Sequence, residues 1–358
     1  DEKYFSNLEK VYSKRVLNQR RMLLDSNFYK KFLINFRHPS SGSIITDHHS
    51  LNGYRPLKNT KNSKYFLKYL SYLFSNYLHP YAYAERDWID WNYSQYKRAY
   101  FGNSDYFDSI EDIGNPPIIK KDNSFKYNLR WLRYLYLRER LFTTLGKNLK
   151  DIFSIIDLGG CYGGFVSLLS ESLPNKSYTI VELGENIPLA AFYISSKFKE
   201  KKINVITSKS DQIVFSRNEI NLIPAHLFYL IKDKLFDLFC NYVSLGEMSK
   251  IHFDEYINSN AYKKSRYKHI VNRVKSSPFY TKDVFARYAN TTSILDYKLS
   301  GIIKYFDIFP FMHFTPLIEL NDKQPISTKL KSLRAFIKPW RRSIISSQQF
   351  ECIYKLNE

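Results

Sequence analysis

Ile155-Ile156-Asp157-Leu158-Gly159-Gly160-Cys161-Tyr162-Gly163-Gly164-Phe165 is an apolar run that enters a glycine-rich bend and leaves it in helical periodicity. Glycines belong in such a bend because the chain turns sharply and its backbone must approach a ligand more closely than a Cβ allows. The pattern predicts a strand, a ligand-facing turn and a helix over Phe165–Ser172. After Pro174-Asn175, the run Tyr178-Thr179-Ile180-Val181 predicts a second buried strand that ends on Glu182. That acid stands 19 residues beyond Gly163. The separation is close to the roughly 20 at which a βαβ unit offers a carboxylate to both ribose hydroxyls. An ordinary surface glutamate is the competing reading.

Dehydrogenases share this layout, but their three glycines at G-x-G-x-x-G spacing seat a pyrophosphate on the helix N-terminus. Here the order is Gly-Gly-Cys-Tyr-Gly-Gly, directly after Asp157-Leu158. The run resembles motif I of class I S-adenosylmethionine-dependent methyltransferases, in which an acidic strand end precedes the glycine turn. An acid there suits a cationic ligand, as a sulfonium or an α-amino group is. On this resemblance Asp157, Gly159, Gly160, Tyr162, Gly163 and Glu182 are the expected cofactor contacts, and S-adenosyl-L-methionine the cofactor.

Ile203–Thr207 predicts a third strand, after a helix begun at Pro188 and running to about Lys199. Phe236–Val243 predicts a fourth, followed by Ser244-Leu245-Gly246-Glu247-Met248-Ser249. Ligands of doubly wound sheets gather at the C-terminal strand ends, which puts Glu247 where a methyl acceptor would face the cofactor. Three pieces together resemble a family of bacterial sugar O-methyltransferases: Ile113-Gly114-Asn115-Pro116, then Asp157 to Phe165 with Glu182, then Asp237-Leu238 through Asn241, Ser244, Glu247 and Met248. The match covers roughly residues 100 to 320. It departs at Pro117, at Asp157 where Glu is commoner, and at Cys161 inside the loop. The resemblance implies methyl transfer to a sugar hydroxyl in bacterial surface polysaccharide or other glycan biosynthesis. It also implies Asn241 at the cofactor and Asn115 and Ser244 toward the substrate.

A sugar hydroxyl needs a base within hydrogen-bond reach. Glu247 is the expected base and His252, five residues on, the second candidate. An acid that stabilises the start of the following helix, His252–Ala261, is the plain alternative for Glu247. His313 reads as core packing and Asp47-His48-His49 as a polar loop without further ligands at metal spacing, so no metal is expected. Asn115-Pro116-Pro117-Ile118 mimics the N-P-P-aromatic motif of DNA amino-methyltransferases, but Ile118 cannot stack on a flipped base. The predicted helix Asn128–Leu145 disperses Arg130 and Arg133 among apolar residues. Either arginine can meet the phosphates of a nucleotide-linked or lipid-linked sugar, or the cofactor carboxylate, by bidentate pairing.

The expected fold class is α/β, a Rossmann-like class I methyltransferase sheet with an N-terminal mainly helical cap region. Residues 1–100, whose Tyr65–Phe74 run is aromatic-rich and lacks glycine turns, form the cap. Residues 101–150 hold the GNP loop and connecting helix, and 151–358 the catalytic domain, with Tyr267–Val274, Asp307–Phe314 and a last antiparallel Phe350–Leu356 as further strands. A content of 44% hydrophobic residues over 358 supports a real core. Three cysteines, Cys161, Cys240 and Cys352, suit free thiols rather than a disulfide framework. The charge of +20 favours anionic partners. It is spread through a sequence rich in lysine, asparagine, isoleucine and tyrosine, so a nucleic-acid methyltransferase is the alternative and no specific nucleic acid is expected. An inactive cofactor-binding partner protein is a further alternative. The charged start and the lack of an 18-residue apolar run suggest a cytoplasmic protein. Lys338-Pro339-Trp340-Arg341-Arg342 suggests peripheral contact with the inner face of the cytoplasmic membrane. The expected acceptor is a sugar or glycan, free, nucleotide-linked or lipid-linked.

Overall fold

The computed structural model describes residues 16–38, 41, 43, 45, 47, 109–116, 120–122, 125–248, 250–273, 294–309 and 349–357. In chain order these give a short helix α1 (Tyr29–Leu33), a hairpin of β1 (Lys120–Asp122) and β2 (Phe125–Tyr127), and α2 (Leu129–Leu145). The alternating part follows as β3 (Ser154–Leu158), α3 (Gly164–Ser172), β4 (Ser177–Glu182), α4 (Ile187–Lys197), β5 (Lys202–Val205), β6 (Glu219–Pro224) and β7 (Leu238–Tyr242). Two helices, α5 (Lys250–Asn258) and α6 (Asn260–Lys263), lead to β8 (Tyr267–Arg273), β9 (Ile302–Ile308) and β10 (Gln349–Lys355).

The eight strands from β3 onward form one sheet in the order β5-β6-β4-β3-β7-β8-β10-β9. All pairs from β5 across to β8 are parallel, whereas β10 runs antiparallel to both β8 and β9. The chain builds leftward from β3 to β4 and then returns to place β7 on the other flank of β3. The crevice between the C-terminal ends of β3 and β7 is therefore the topological switch point, where such sheets bind ligands. This is the Rossmann-like α/β sheet expected from the sequence.

Strands covered on both faces read as unbroken apolar runs, and β3 is buried at every position. Alternate residues feed two cores. Ile155 packs with α2, α3 and α4, and Ile156 and Leu158 pack with α5 and α6. Helix α2 starts because the Asn128 side chain accepts the Trp131 N–H at 2.9 Å, and it ends at Gly146 with φ +49°. At the opposite end of the sheet, Asp237 Oδ2 accepts the N–H groups of Phe153 and Ser154, which aligns the starts of β3 and β7.

The described part of the N-terminal region belongs to the same core as the sheet. Phe32, Leu33, Phe36, Ile45 and Ile110 join one buried cluster with Ile155 and Tyr162, so the expected divisions near residues 100 and 150 separate no independent cores among the described residues. Asp47 ties this region down. Its Oδ2 lies 3.0 Å from Arg37 Nε and accepts Asn128 Nδ2 at 2.9 Å, and its Oδ1 lies 3.0 Å from Arg130 Nε. Arg37 is fully buried and also donates to the Ile113 carbonyl at 3.1 Å. Asp47, in the stretch read as a polar loop, is the shared counter-charge of two guanidiniums. Gly114 needs its φ of +75° and its missing side chain, since a Cβ would come 2.4 Å from the Phe36 ring.

Three strand expectations differ from the structure. β6 carries Glu219 and Asn221, which broke the apolar pattern, yet both are buried and paired, Asn221 to the Val214 carbonyl and Glu219 to Lys202. β9 begins five residues before the expected Asp307. β10 lies inside the sheet between β8 and β9 rather than closing its edge. Tyr65–Phe74, His313 and the Lys338–Arg342 patch fall outside the described residues.

Removing one partner from a buried charge cluster leaves the other charges uncompensated. Asp47→Ala should therefore cost about 3–5 kcal/mol of unfolding free energy. Urea denaturation at pH 7 measures it, and a loss below about 1 kcal/mol would show that the cluster does not hold the N-terminal region.

Candidate active site

The glycine turn lies at the switch point. Gly159 leaves β3 with φ +76° and donates its N–H to the Val181 carbonyl at 2.7 Å. A Cβ there would fall 2.2 Å from Ser244 Oγ, so β7's following turn can close on this position only over glycine. Cys161 also sits in the left-handed region, at φ +52°, a conformation costly for a residue with a Cβ. Its N–H donates to Glu182 Oε2 at 2.7 Å, which holds the strained residue in place.

Two buried carboxyls line the floor. Glu182, at the tip of β4, accepts from Cys161 N–H, from Leu183 N–H at 2.8 Å and from Asn186 Nδ2 at 3.1 Å. Burial pushes its pKa up and these donors pull it partly back. Asp157 is 2% exposed, and burial first, then the nearby Glu182, raises its pKa from 3.8 to about 8. A carboxyl kept this dry strongly favours any cation delivered to it. The floor thus fits a cationic group over Asp157 and one hydroxyl donor at the remaining acceptor site of Glu182, on Oε2, with backbone between them. That is the chemistry of S-adenosylmethionine.

Other expected contacts are relocated. Tyr162 is fully buried, edge-on to Phe36 at 5.7 Å and Tyr193 at 4.8 Å, with the Arg37 guanidinium 4.7 Å from its ring centre. Its ring belongs to the core beneath the turn, because the helix that follows directs it into the aromatic cluster, so only the backbone of Tyr162 is left to meet a cofactor. Asn241 is also corrected. Its Nδ2 donates to the Leu158 carbonyl at 2.7 Å and to Ser244 Oγ, and its Oδ1 accepts Asn272 Nδ2 at 2.7 Å and Leu245 N–H at 3.2 Å. With both amide hydrogens and both lone pairs used, its side chain has no hydrogen-bonding group left for a cofactor. Ser244 donates to the same Leu158 carbonyl at 3.1 Å, so it clamps the strand end.

On the N-terminal side, Arg130 is joined to Asp47 and lies 5.9 Å from the Tyr162 ring centre. Burial opposes its charge, but Tyr134, Cys161 and Asp47 keep its pKa well above the usual value. Arg133, 8% exposed, is pulled down to about 9 by burial and then by Arg130. Asn115 is exposed and bonded to Asn35 at 2.8 Å. Its φ of +53° makes the GNP element a rigid turn. Glu247 ends the 3-10 turn Leu245–Glu247, which begins three residues after the end of β7. His252 is exposed on α5. Residues that sequence reasoning passed over are Arg37, which pairs with Asp47 ten residues on, and Gln19, whose Nε2 donates to Asn186 Oδ1 at 3.0 Å across 167 residues. No spacing pattern signals either contact. Among the described residues no group of three or more His, Cys, Asp or Glu could hold a metal.

No family model and no curated protein matches the chain. Solved structures similar to it include a SAM-dependent methyltransferase from Archaeoglobus fulgidus, at 14% identity over 63% of this chain and 94% of that one, with a TM-score of 0.36. The plantazolicin methyltransferase BamL, in complex with a triazolic desmethylPZN analog and SAH, matches at 11% identity over 64% and 86%, with a TM-score of 0.37. The mitomycin 7-O-methyltransferase MmcR matches at 11% identity over 45% of each chain, with a TM-score of 0.27. At these scores the likenesses carry no weight for activity.

The Asp157 carboxyl makes stability depend on pH in a definite direction. Its native pKa of about 8 exceeds the ordinary 3.8, so between those values the folded chain holds a proton that the unfolded chain has released. Stability from this group is complete below the ordinary value and is lost as pH rises toward about 8. Asp157→Asn should therefore gain stability relative to the wild type as pH is raised from 4 to 8, read by urea midpoints across the series. A difference that stays constant with pH would contradict the buried, protonated carboxyl.

Proposed function

We propose that the chain is an S-adenosylmethionine-dependent O-methyltransferase that methylates a sugar hydroxyl in glycan biosynthesis. The observation that carries the reading is the pair of buried carboxyls, Asp157 and Glu182, on adjacent strand ends around a glycine turn at the sheet's switch point. Asp157 would hold the positive end of the cofactor, Glu182 a ribose hydroxyl through its remaining acceptor site, and the Gly159–Gly163 backbone the span between them. When bound, the cofactor supplies an electrophilic methyl on a positively charged sulfur.

The sugar acceptor is supported by the resemblance of Ile113–Pro116 and of the Asn241, Ser244, Glu247, Met248 run to sugar O-methyltransferases. The turn that carries Glu247 begins three residues after β7 ends, at the C-terminal strand ends where doubly wound sheets gather ligands, which supports the reading. Arg130 and Arg133 supply positive charge at the start of α2, which suits a phosphate-linked sugar or the cofactor carboxylate. The surplus of basic residues favours a nucleotide-linked or lipid-linked acceptor near an anionic membrane surface. No helix of the described residues is long and apolar enough to cross a membrane.

Calorimetric titration of the full chain with S-adenosylhomocysteine tests the reading. Micromolar binding is expected, and Glu182→Gln should weaken it by about tenfold, or about 1.4 kcal/mol, because its NH2 puts a donor where a carboxylate oxygen accepts from N–H groups and a ribose hydroxyl. No binding by the wild type would remove the cofactor and the activity together.

A further inference from the structure

His269 lies in the parallel ladder of β8, fully buried, with a partner on each ring nitrogen. Nε2 is 2.9 Å from Glu351 Oε1 on β10, and Nδ1 is 3.0 Å from the Tyr242 hydroxyl at the end of β7. Glu351 is also fully buried, and its Oε2 accepts the Tyr136 hydroxyl of α2 at 2.8 Å. In the tautomer that donates from Nε2 to Glu351, Nδ1 is left to accept from the phenol. Every hydrogen bond in the chain then points toward Glu351.

The strand registers put this chain behind the switch point. Asp157 pairs with Cys240, Cys240 with His269, and Val271 with Glu351, so all of these side chains share one face of the sheet. Tyr242 is two residues past Cys240 on that face. It is half-buried, whereas His269 and Glu351 are sealed. The next residue, Val243, has φ +73°, and its N–H is held by the Val271 carbonyl at 2.6 Å. A β-branched residue in the left-handed region is a costly conformation, of the kind that persists where surrounding structure over-determines a functional position.

We propose that Tyr242, His269 and Glu351 form the proton acceptor of the methyl transfer, Tyr242 touching the acceptor hydroxyl as the catalytic residue and His269 and Glu351 acting through it. The inference rests on the methyltransferase reading and names the base within it. As the acceptor oxygen bonds to the methyl carbon, the methyl–sulfur bond breaks and its electron pair stays on sulfur. The hydroxyl proton passes to the Tyr242 oxygen while the phenol proton passes to His269 Nδ1. The resulting imidazolium faces the Glu351 carboxylate, and one proton is later released to solvent. This arrangement follows the logic of a hydrolase triad, with a phenol in the outer position. Burial holds the Tyr242 phenol well above its usual range, so it stays protonated and acts only by handing a proton on. The other titratable and charged groups around the relay are Cys240, Asp157, Tyr136, Arg140 and Tyr305.

The test compares the full-length wild type with Tyr242→Phe, a variant that keeps the ring and removes the oxygen. Methyl transfer from radiolabelled S-adenosylmethionine to a panel of methyl glycosides is followed across pH. S-adenosylhomocysteine affinity and thermal midpoint are measured in parallel, and ¹⁵N-histidine spectra give the His269 tautomer. The variant should melt and bind S-adenosylhomocysteine as the wild type does, transfer methyl at least about 100-fold more slowly, and lose the rising limb of the pH profile. The spectra should show His269 protonated on Nε2, with its Nδ1 signal shifted in Tyr242→Phe. Wild-type rates and pH profile in the variant, or an Nδ1-protonated His269, would overturn the relay. So would a wild type that binds S-adenosylhomocysteine yet methylates no hydroxyl of the panel. A wild type that does not bind S-adenosylhomocysteine overturns the methyltransferase reading itself, and the relay falls with it.

Discussion

The carbonyl of Leu158 is the point on which the site depends. It is the last carbonyl of β3 before the glycine turn, and it accepts both Asn241 Nδ2 and Ser244 Oγ from the flanking strand end. Parallel pairing of β3 with β7 stops at Leu158–Asn241. These two side-chain bonds carry the pairing one step further, into the turn. Asn241 reaches on to Asn272 of β8, whose Oδ1 accepts the Gly246 N–H at 2.9 Å. Three adjacent strand ends are thereby locked with their loops in one arrangement. A fully satisfied buried polar network specifies a single geometry, and a half-satisfied one would be worse than an apolar core.

Around that fixed frame the molecule places ionisable groups out of water with two different solutions. Asp47 is paired, taking two guanidiniums and an amide, and the result is a firm attachment of the N-terminal region. Asp157 has no such partner set, and burial drives it toward the neutral form. The cost of keeping that carboxyl dry is offset when a cation arrives, which is why a site of this kind is less stable empty than a purely apolar crevice would be. Glu351 lies between these cases. Two hydrogen-bond donors, Tyr136 and His269, satisfy it, and both come from groups that can pass or hold a proton.

Much of the candidate site was legible because its signals are local. Asp157, the glycines and Glu182 follow one another within a single βαβ unit, and backbone sterics tie their spacing to their geometry. The misses share a physical cause. β6 was hidden because Glu219 and Asn221 break an apolar run, and only the neighbouring Lys202 and Val214 make their burial tolerable. Tyr162 and Asn241 sit at expected positions in the motifs but turn inward, because the aromatic cluster of Phe36 and Tyr193 claims one and Asn272 claims the other. His269 passed unweighed as one polar residue in an otherwise ordinary strand.

The sequence by itself determined the sheet class, the glycine turn and the two acidic strand tips, since each depends on residues within about one βαβ unit of one another. Tertiary structure alone decided which side chains meet: Asp47 with Arg37 and Arg130, Asn241 with Asn272, and His269 with Tyr242 and Glu351. The reason is that hydrogen-bond partners and counter-charges are chosen by three-dimensional proximity. Strand order is what brings β10, from the far end of the chain, beside β8 and within reach of the switch point.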